Sequence, residues 1–463
     1  MKTLGPLVLA LVLAGCGSLV PTAEAPNPPL RDSFRLGTEP AEPPLATAAE
    51  AQAWDGFFSD ERLRRVVGLA LDQNRTLRAS LAAVDRARAQ YGISRAARWP
   101  ELEATASAGR QRSAGGTGTT STYSVSLGLA AWEIDLFNRV GSLEGAALAR
   151  FLAQEQTQRS AQLSLVADVA EAWLTLAAER QRQTLAEALR DSQQRTLALT
   201  ERQAELGAAS GLQRARAQTA FQAARGEAAR SASAVQQARL ALELLAGQPL
   251  PESLLPPTQA DSNTALPDLP AGLPATVLLQ RPDLQAAEQS LQAAAFDIGA
   301  ARAARFPRLT LTANAGTRST ELDGLFSSGS GFWSVVPTLD LALFDAGARQ
   351  AQVQVSEASR RQALAQYEAA LQAAFREVAD ALAVRDGLAE RLAAQQAQLQ
   401  AAERSLALSE QSYRLGGSSQ LELLDAQRQL ATAQQGLVTL RQTEQVNRVD
   451  LLRALGGRWR TPS

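Results

Sequence analysis

Residues 284–316 have the sequence LQAAEQSLQAAAFDIGAARAARFPRLTLTANAG, which divides into two parts at Pro307. The part before Pro307 is rich in Ala, Gln, Leu and Arg, which favour helix. After Pro307, apolar residues alternate with Thr and Asn, which is typical of a strand with one apolar face. The stretch therefore predicts a helix that leads directly into a β-strand.

The same pattern occurs a second time, 207 residues earlier in the chain. Residues 77–109 have the sequence LRASLAAVDRARAQYGISRAARWPELEATASAG and align with 284–316 without a gap. The shift of 207 also pairs Phe137 with Phe344, and later in the chain the shift becomes 209. Internal similarity of this length indicates a duplicated structural unit. We therefore expect two copies of one long unit to fill almost the whole chain.

Each copy is predicted to contain, in order, a helix, a strand, a polar loop, a second strand, a very long helix, a glycine-rich break and a shorter helix. The loops between paired strands are rich in Gly, Ser and Thr, which indicates hairpins. Alternation of apolar and polar residues places the strands at about 101–109, 123–137, 308–316 and 332–344.

Two helices are expected to be far longer than those of ordinary globular proteins. No proline occurs between Pro100 and Pro249 or between Pro337 and Pro462. At about 1.5 Å per residue, helices over 139–206 and 346–415 would each extend roughly 100 Å. Helices of this length favour coiled-coil packing.

The N-terminus is predicted to be a secretory signal that ends at a lipid-modified cysteine. Lys2 precedes an apolar run at 7–14 that is too short for a permanent membrane-spanning helix. The run ends in Leu13-Ala14-Gly15-Cys16, which resembles the lipobox of bacterial lipoproteins. Because Cys16 is the only cysteine, a disulfide within the chain is impossible, in agreement with lipidation.

These features predict six segments. They are a signal peptide at 1–15, a lipid-anchored segment at 16–60, the first repeat at 61–247, a Pro-rich linker at 248–275, the second repeat at 276–457 and a tail at 458–463.

The composition argues against several functions. The formal net charge of -1, with 46 basic and 47 acidic residues, gives no reason to expect a nucleic-acid partner. The chain has no histidine and one cysteine, which excludes a Ser-His-Asp triad and the usual His and Cys ligand sets of zinc sites. We expect no enzymatic activity, no catalytic residues, no metal and no cofactor other than the lipid on Cys16.

Several short segments together indicate a family. They are QRPDL at 280–284, IGAARAA at 298–304, LTLTANAG at 309–316, WEIDLF at 132–137, LDAQR at 424–428 and ALGG at 454–457. In combination they resemble the TolC/OprM outer-membrane efflux family, and the sequence is most similar to its OprM-type (NodT-like) outer-membrane lipoproteins.

The resemblance implies an α+β membrane protein that is a homotrimer. Four strands from each chain would share a 12-stranded β-barrel, continued by a long α-helical coiled-coil tunnel in the periplasm, with the Pro-rich linker near its equator. The protein would be the passive exit duct of a tripartite efflux pump for drugs or other toxic compounds. Its partners would be outer-membrane lipid, a periplasmic adaptor and an inner-membrane transporter of the RND type.

The resemblance also implies two kinds of site. Leu421, Asp425 and Arg428 match the positions that close the duct at its periplasmic end, and their spacing puts them on one helix face. The spacing alone would favour an exposed ion pair within one helix, and only the match to the family motif favours the duct-closing role. The adaptor is expected to dock on the helix-turn tips, which are formed by Leu206, Gly207 and Ala208 and by Leu415, Gly416 and Gly417.

Two alternatives remain open from the sequence. The same duct could serve metal-ion efflux or protein secretion. The chain could also be a non-channel lipoprotein scaffold that bridges the periplasm with its helices.

Overall fold

The computed structural model describes residues 19–21, 34, 56–112, 118–257 and 275–457. Cys16, the predicted signal peptide and most of the predicted lipid-anchored segment lie outside these residues, as does the tail after Gly457. The described part of the first repeat contains α1 (Glu61–Gln73), α2 (Arg75–Ala96), β1 (Leu102–Arg112), β2 (Thr119–Ile134), α3 (Arg139–Glu205) and α4 (Gly211–Ala246).

From the helix that precedes its first strand onward, the second repeat has the same order of elements, and two short 3-10 helices come before that helix. The described elements are the 3-10 helices Glu252–Leu254 and Ala275–Gln280, then α5 (Pro282–Ala303), β3 (Arg308–Ser319), β4 (Gly331–Asp340), α6 (Ala348–Arg414) and α7 (Gln420–Ala454). None of the described helices combines the length and hydropathy of a membrane-spanning helix.

In each hairpin, the strands differ from their predicted bounds both next to the loop that joins them and where the second strand leads into the long helix. The ladders extend further toward the polar loops, because main-chain pairing continues through residues such as Thr119 and Ser319 whatever their polarity. The second strands end earlier than predicted, at Ile134 and Asp340 rather than at 137 and 344. At the first of these ends, the Asp135 carboxylate accepts hydrogen bonds from the amides that begin α3, which turns the chain out of the sheet.

The four strands form one antiparallel sheet in the order β1-β2-β3-β4. The central pairing, β2 with β3, joins the two repeats, with Leu127 opposite Ala315 and Ile134 opposite Leu309. A register shift between Leu129 and Trp132 marks a β-bulge in β2. Pairing across the repeats makes the two hairpins one continuous sheet.

Gly316 in β3 is required by the close approach of β2. A Cβ atom at this position would lie 2.2 Å from the carbonyl oxygen of Val125 and 2.6 Å from the Cα of Ser126. Both atoms belong to the backbone, so neither can move away without opening the β2–β3 ladder.

The chain divides in space differently from its division into repeats. One part, here the sheet unit, contains Ala82–Gln156 and Asp283–Ala370. The other, here the helical unit, contains the described residues of Pro29–Leu81, Thr157–Pro282 and Leu371–Ser463. Each unit takes segments from both repeats, because the strands and helices of one copy pack on those of the other. The repeats are therefore units of sequence and not separate domains.

The helical unit has an apolar core with polar edges. Trp173 and Leu176 of α3 pack in it with Leu371 of α6 and Leu451 of α7, all essentially without solvent contact. Arg180, where the heptad pattern of α3 is interrupted, donates a hydrogen bond to the Pro256 carbonyl at 2.8 Å. The described start of the Pro-rich linker therefore lies against α3.

The QRPDL and ALGG segments contact each other within the helical unit. The buried guanidinium of Arg281 donates to the Ala454 carbonyl at 2.9 Å and pairs with Glu377 at 2.8 Å. Gly456, with φ of 78°, then turns the chain against the Arg281 side chain. The buried guanidinium of Arg281 therefore connects its own segment with α6, through Glu377, and with the end of α7, through Ala454.

Candidate functional site

One face of the four-stranded sheet is apolar across its whole width. Residues that are paired directly across an antiparallel ladder project to the same side. Leu127 of β2 is opposite both Ala104 of β1 and Ala315 of β3, and Ala315 is in turn opposite Trp333 of β4. The neighbouring rows are Leu102, Leu129, Ala313 and Val335, and Ala106 with Val125.

The opposite face is mostly polar. Ser107 of β1 is paired with Ser124 of β2, and their hydroxyl groups are hydrogen-bonded at 2.7 Å. Asn314 of β3 lies opposite Ser334 of β4, and Thr310 lies opposite Thr338. Strand β1 has no buried residue, and most of the large apolar side chains of β4 are exposed. The apolar face is therefore not the core of the single chain.

The sheet has two free edges. β1 and β4 are the outer strands, and no described strand pairs with their outer sides. An exposed edge presents unpaired N–H and C=O groups and is a site at which another strand can add.

The residues predicted to close the duct lie together on the exposed face of the first turns of α7. Leu421, Asp425 and Arg428 are all solvent-accessible. The opposite face of α7 is buried: Gln420 donates a hydrogen bond to Thr200 of α3 at 2.8 Å. The packing of α7 on α3 thus directs the three predicted residues away from α3.

The charges on this exposed face interact within one helix. Arg428 and Gln429 both donate hydrogen bonds to the Asp425 carboxylate. The hydrogen bond from Arg428, and to a smaller extent the one from Gln429, holds the pKa of Asp425 below its usual value. The carboxylate is therefore ionised at neutral pH. Exposed pairs of this kind contribute little to folding, so the fold of the single chain does not require these residues.

The two glycine-rich tips have the same backbone geometry. Gly207 and Gly416 both have φ of 76°, in the left-handed region that favours glycine. At the first tip, the Ala208 amide donates to the Gln203 carbonyl at 2.7 Å, a Schellman-type helix end. The second tip has the equivalent bond from Gly417 at 2.8 Å.

The helices that follow the tips begin with matching capping boxes. Ser210 caps α4 in combination with Gln213, and Ser419 caps α7 in combination with Glu422. Leu206 and Leu415, at the ends of α3 and α6, are both largely exposed. Each tip therefore presents an apolar side chain on a rigid turn.

The structure also contains an ionisable cluster that the sequence did not indicate. Arg453 of α7 pairs with Asp450 at 2.9 Å, and it lies 3.6 Å from both Asp168 and Glu171 of α3. Burial, and then the negative charge of Asp450, raise the pKa of Glu171 to about 7. The members come from helices far apart in the chain, so no local spacing could have revealed them.

Comparison with known proteins places the chain in a family. The model of the family described as "Outer membrane efflux protein" matches residues 66–248 and 273–457. The antibiotic efflux pump outer membrane protein ArpC of Pseudomonas putida is 41% identical over 461 residues, which cover 98% of this chain and 94% of ArpC. Outer membrane protein OprJ of Pseudomonas aeruginosa is 40% identical over 459 residues, which cover 98% of this chain and 95% of OprJ.

Solved structures show the same similarity. The open state of the Neisseria gonorrhoeae MtrE outer membrane channel has a TM-score of 0.85 and 34% identity, covering 95% of this chain and 98% of that channel. A membrane protein from Pseudomonas aeruginosa has a TM-score of 0.87 and 38% identity, covering 96% of this chain and 98% of that protein. From its sequence and its fold, the chain belongs to the outer membrane efflux protein family and is the outer-membrane channel component of an efflux pump.

Proposed function

We propose that three copies of this chain assemble into one conducting channel that is the passive exit duct of a tripartite pump. The observation that carries the proposal is the sheet of four strands, which is apolar on one face, polar on the other and open at both edges. Such a sheet suits a wall between lipid and water.

The open edges are the reason for assembly. In a bilayer no water is present to hydrogen-bond unpaired backbone groups, so a sheet there must close on itself. The smallest membrane barrels have about eight strands, and the described sheet has four. Three chains would supply the 12 strands that the family resemblance implies, with the apolar face toward lipid and the long helices forming the tunnel.

Asp425 and Arg428 are proposed to form the constriction at the periplasmic end of this tunnel. Threefold assembly would turn the ionised Asp425 into a ring of three carboxylates, which attracts cations and repels anions. In the trimer, the exposed side chain of Arg428 would be available to pair with Asp425 of a neighbouring chain. Leu421, one turn earlier on the same face, would narrow the opening with an apolar side chain.

The two tips are proposed to receive a periplasmic adaptor, which would connect the channel to an inner-membrane transporter of the RND type. Support comes from the matched geometry of the tips, where Leu206 and Leu415 stand exposed beside turns of equal shape. Three chains would present six such tips in a ring. Apolar residues on rigid turns are suitable anchors for a protein partner because their burial costs little conformational entropy.

The proposed cargo is small organic compounds, including antibiotics and solvents. The relatives include one described as an antibiotic efflux protein and another described as the toluene efflux protein TtgC of Pseudomonas putida, 40% identical to this chain. Drug and metal susceptibility of a deletion strain would test this assignment: increased sensitivity to metals alone would contradict it.

Cys16 is proposed to carry the covalent lipid, which would include palmitate. The lipobox Leu13-Ala14-Gly15-Cys16 supports this proposal. Labelled palmitate should enter the native protein and should be absent from a Cys16→Ala variant. Label that remains in the variant would place the lipid elsewhere.

The assembly is tested by mass and by conductance. We expect the purified full chain to have the mass of three copies in detergent and to conduct ions in a planar lipid bilayer. A stable monomer would contradict the shared barrel. A trimer that conducts nothing, even with adaptor present, would favour the periplasm-bridging scaffold.

A further inference from the structure

A stacked pair of phenylalanines lies at the base of the sheet, where the two repeats meet. Phe137 follows β2, and Phe306 precedes β3. Their ring centroids are 4.6 Å apart and the ring planes are inclined by 17°. The pair closes the β2–β3 junction on the side where the strands lead into helices. Aromatic pairs of this geometry are stabilising beyond the area they bury.

The duplication places two further aromatic residues at the equivalent positions. At the shift of 207, Phe137 is equivalent to Phe344, which follows β4. At the same shift, Phe306 is equivalent to Trp99, which precedes β1. Both belong to the free edges of the sheet. Phe344 is 89% exposed and Trp99 is 73% exposed, whereas Phe306 in the stacked pair is 43% exposed. Neither ring stacks on another aromatic ring among the residues that the structure describes.

We infer that Phe344 of one chain stacks on Trp99 of the next chain, as Phe137 stacks on Phe306 within one chain. The inference rests on the proposed trimer. In this arrangement, the β4–β1 junction between chains would have the same geometry as the β2–β3 junction between repeats, which is called the template junction below. A second copy of this chain is the fitting occupant, because it presents the complementary edge with its aromatic residue at the matching place.

Other apolar side chains at the two edges agree with this occupant. Leu339 and Leu343, at and after the end of β4, are exposed, and so is Leu102 at the start of β1. Leu343 is equivalent to Leu136 of the first repeat, which is much less exposed. At the same positions, the edge that already has its partner is thus less exposed than the edge that lacks one.

The ion pair at the template junction is not duplicated. The Glu133 carboxylate of β2 forms an ion pair with Arg308 of β3, and 3.5 Å separates the Arg308 Nε from the nearer carboxylate oxygen. The equivalent residues are Asp340 and Glu101, which are both acidic. The aromatic pair is therefore the part of the junction that both copies share. A Glu101→Arg substitution would supply the missing cation.

Cross-linking tests the contact directly. The full chain with Trp99→Cys and Phe344→Cys, purified in detergent and treated with a short bis-maleimide cross-linker, should give covalent dimers and trimers on a denaturing gel. Neither single variant should give this ladder. Cys16 is the only native cysteine and is shared by all variants, so it cannot explain a difference between them.

Substitution tests its contribution. Phe344→Ala should weaken each interface by about fivefold, seen as a lower SDS concentration for trimer dissociation. Trp99→Ala should do the same, and the two together should cost no more than either alone. Trp99→Phe should retain the native trimer. Phe326→Ala is the matched control, since Phe326 is equally exposed but lies in the loop after β3. Circular dichroism checks that each variant folds.

Glu101→Arg adds an independent gain-of-stability arm. It should raise the SDS concentration for dissociation, whereas Glu321→Arg, the same charge change in the β3–β4 loop, should not.

The outcomes separate this inference from the proposed assembly. If the unaltered chain is a monomer, both are wrong. If it is a trimer but the cysteine pair does not link, or if Phe344→Ala behaves like Phe326→Ala, the trimer stands and the aromatic contact is wrong.

Discussion

Replacing Glu171 by Gln should stabilise the helical unit at pH 8 and leave its stability nearly unchanged at pH 4.5. Glu171 lies with Asp168, Asp450 and Arg453 in a cluster that has three carboxylates and one guanidinium. When all are ionised, the cluster has excess negative charge in a partly buried place. Gln keeps the shape of Glu171 and its capacity to donate a hydrogen bond to Asp450, and removes one negative charge.

The magnitude follows from the raised pKa. Folding raises the pKa of Glu171 from 4.5 to about 7, mainly by burial. Each pH unit corresponds to about 1.4 kcal/mol, which sets an upper limit of about 3 kcal/mol. The side chain is 30% exposed, so solvent screening lowers the expected value to about 1–2 kcal/mol.

The sign is fixed by linkage. A carboxyl group whose pKa is higher in the folded state contributes stability that is fully present below pH 4.5 and is lost as the pH rises through about 7. The native protein should therefore lose stability relative to Glu171→Gln across this range. The two proteins should have equal stability only at the acid end.

The assay is guanidinium unfolding of the purified protein in detergent, followed by helical circular dichroism at 222 nm at several pH values. The difference in the midpoint between native protein and Glu171→Gln is the relevant quantity, because groups outside the cluster titrate equally in both. Glu205→Gln, at the exposed end of the same helix, is the control. A difference between Glu171→Gln and native protein that does not change with pH would refute the assignment of a proton to this cluster.

Three further predictions concern other parts of the molecule. Gly316→Ala should destabilise the folded sheet by about 2–3 kcal/mol and so reduce the yield of assembled channel measured by gel filtration. Gly109→Ala is the control and should leave the yield unchanged, because a Cβ there meets nothing within 4 Å. Asp425→Ala should raise leak conductance in a planar bilayer while trimers persist, and unchanged conductance would count against the gate; Arg216→Ala, at the equivalent place in the first repeat, should leave it unchanged. Arg281→Met should lower unfolding stability by about 1–3 kcal/mol, since it leaves the buried Ala454 carbonyl without its hydrogen-bond donor, and an unchanged stability would contradict the role assigned to Arg281.

Much of the fold was predictable because it depends on local pattern. Alternation after Pro307, the absence of proline over long segments and the glycines of the tips each act over a few residues, and the helices and turns form where these patterns occur. The family assignment, confirmed by the comparisons, likewise came from short segments such as QRPDL at 280–284. The roles of the duct-closing residues and of the tips stay predictions, although the structure places Asp425 and Arg428 on one exposed face.

Strand ends were predicted less well, for a physical reason. Alternation continues past Ile134 in the sequence, but the chain leaves the sheet there because the Asp135 side chain caps the following helix. At such a point, continuation of the strand competes with capping of the next helix. The sequence pattern does not show which of the two has the lower free energy.

The sequence by itself determined the duplication, the kinds of element and their order. Only the tertiary structure decided that β2 pairs with β3 across the repeats, that Arg281 meets Glu377 and Ala454, and that Glu171 faces Asp450. Periodicity states which side of an element is apolar but does not name the element that covers it. Contacts between distant segments depend on the packing of the whole chain, and so do the burial and the pKa values that follow from them.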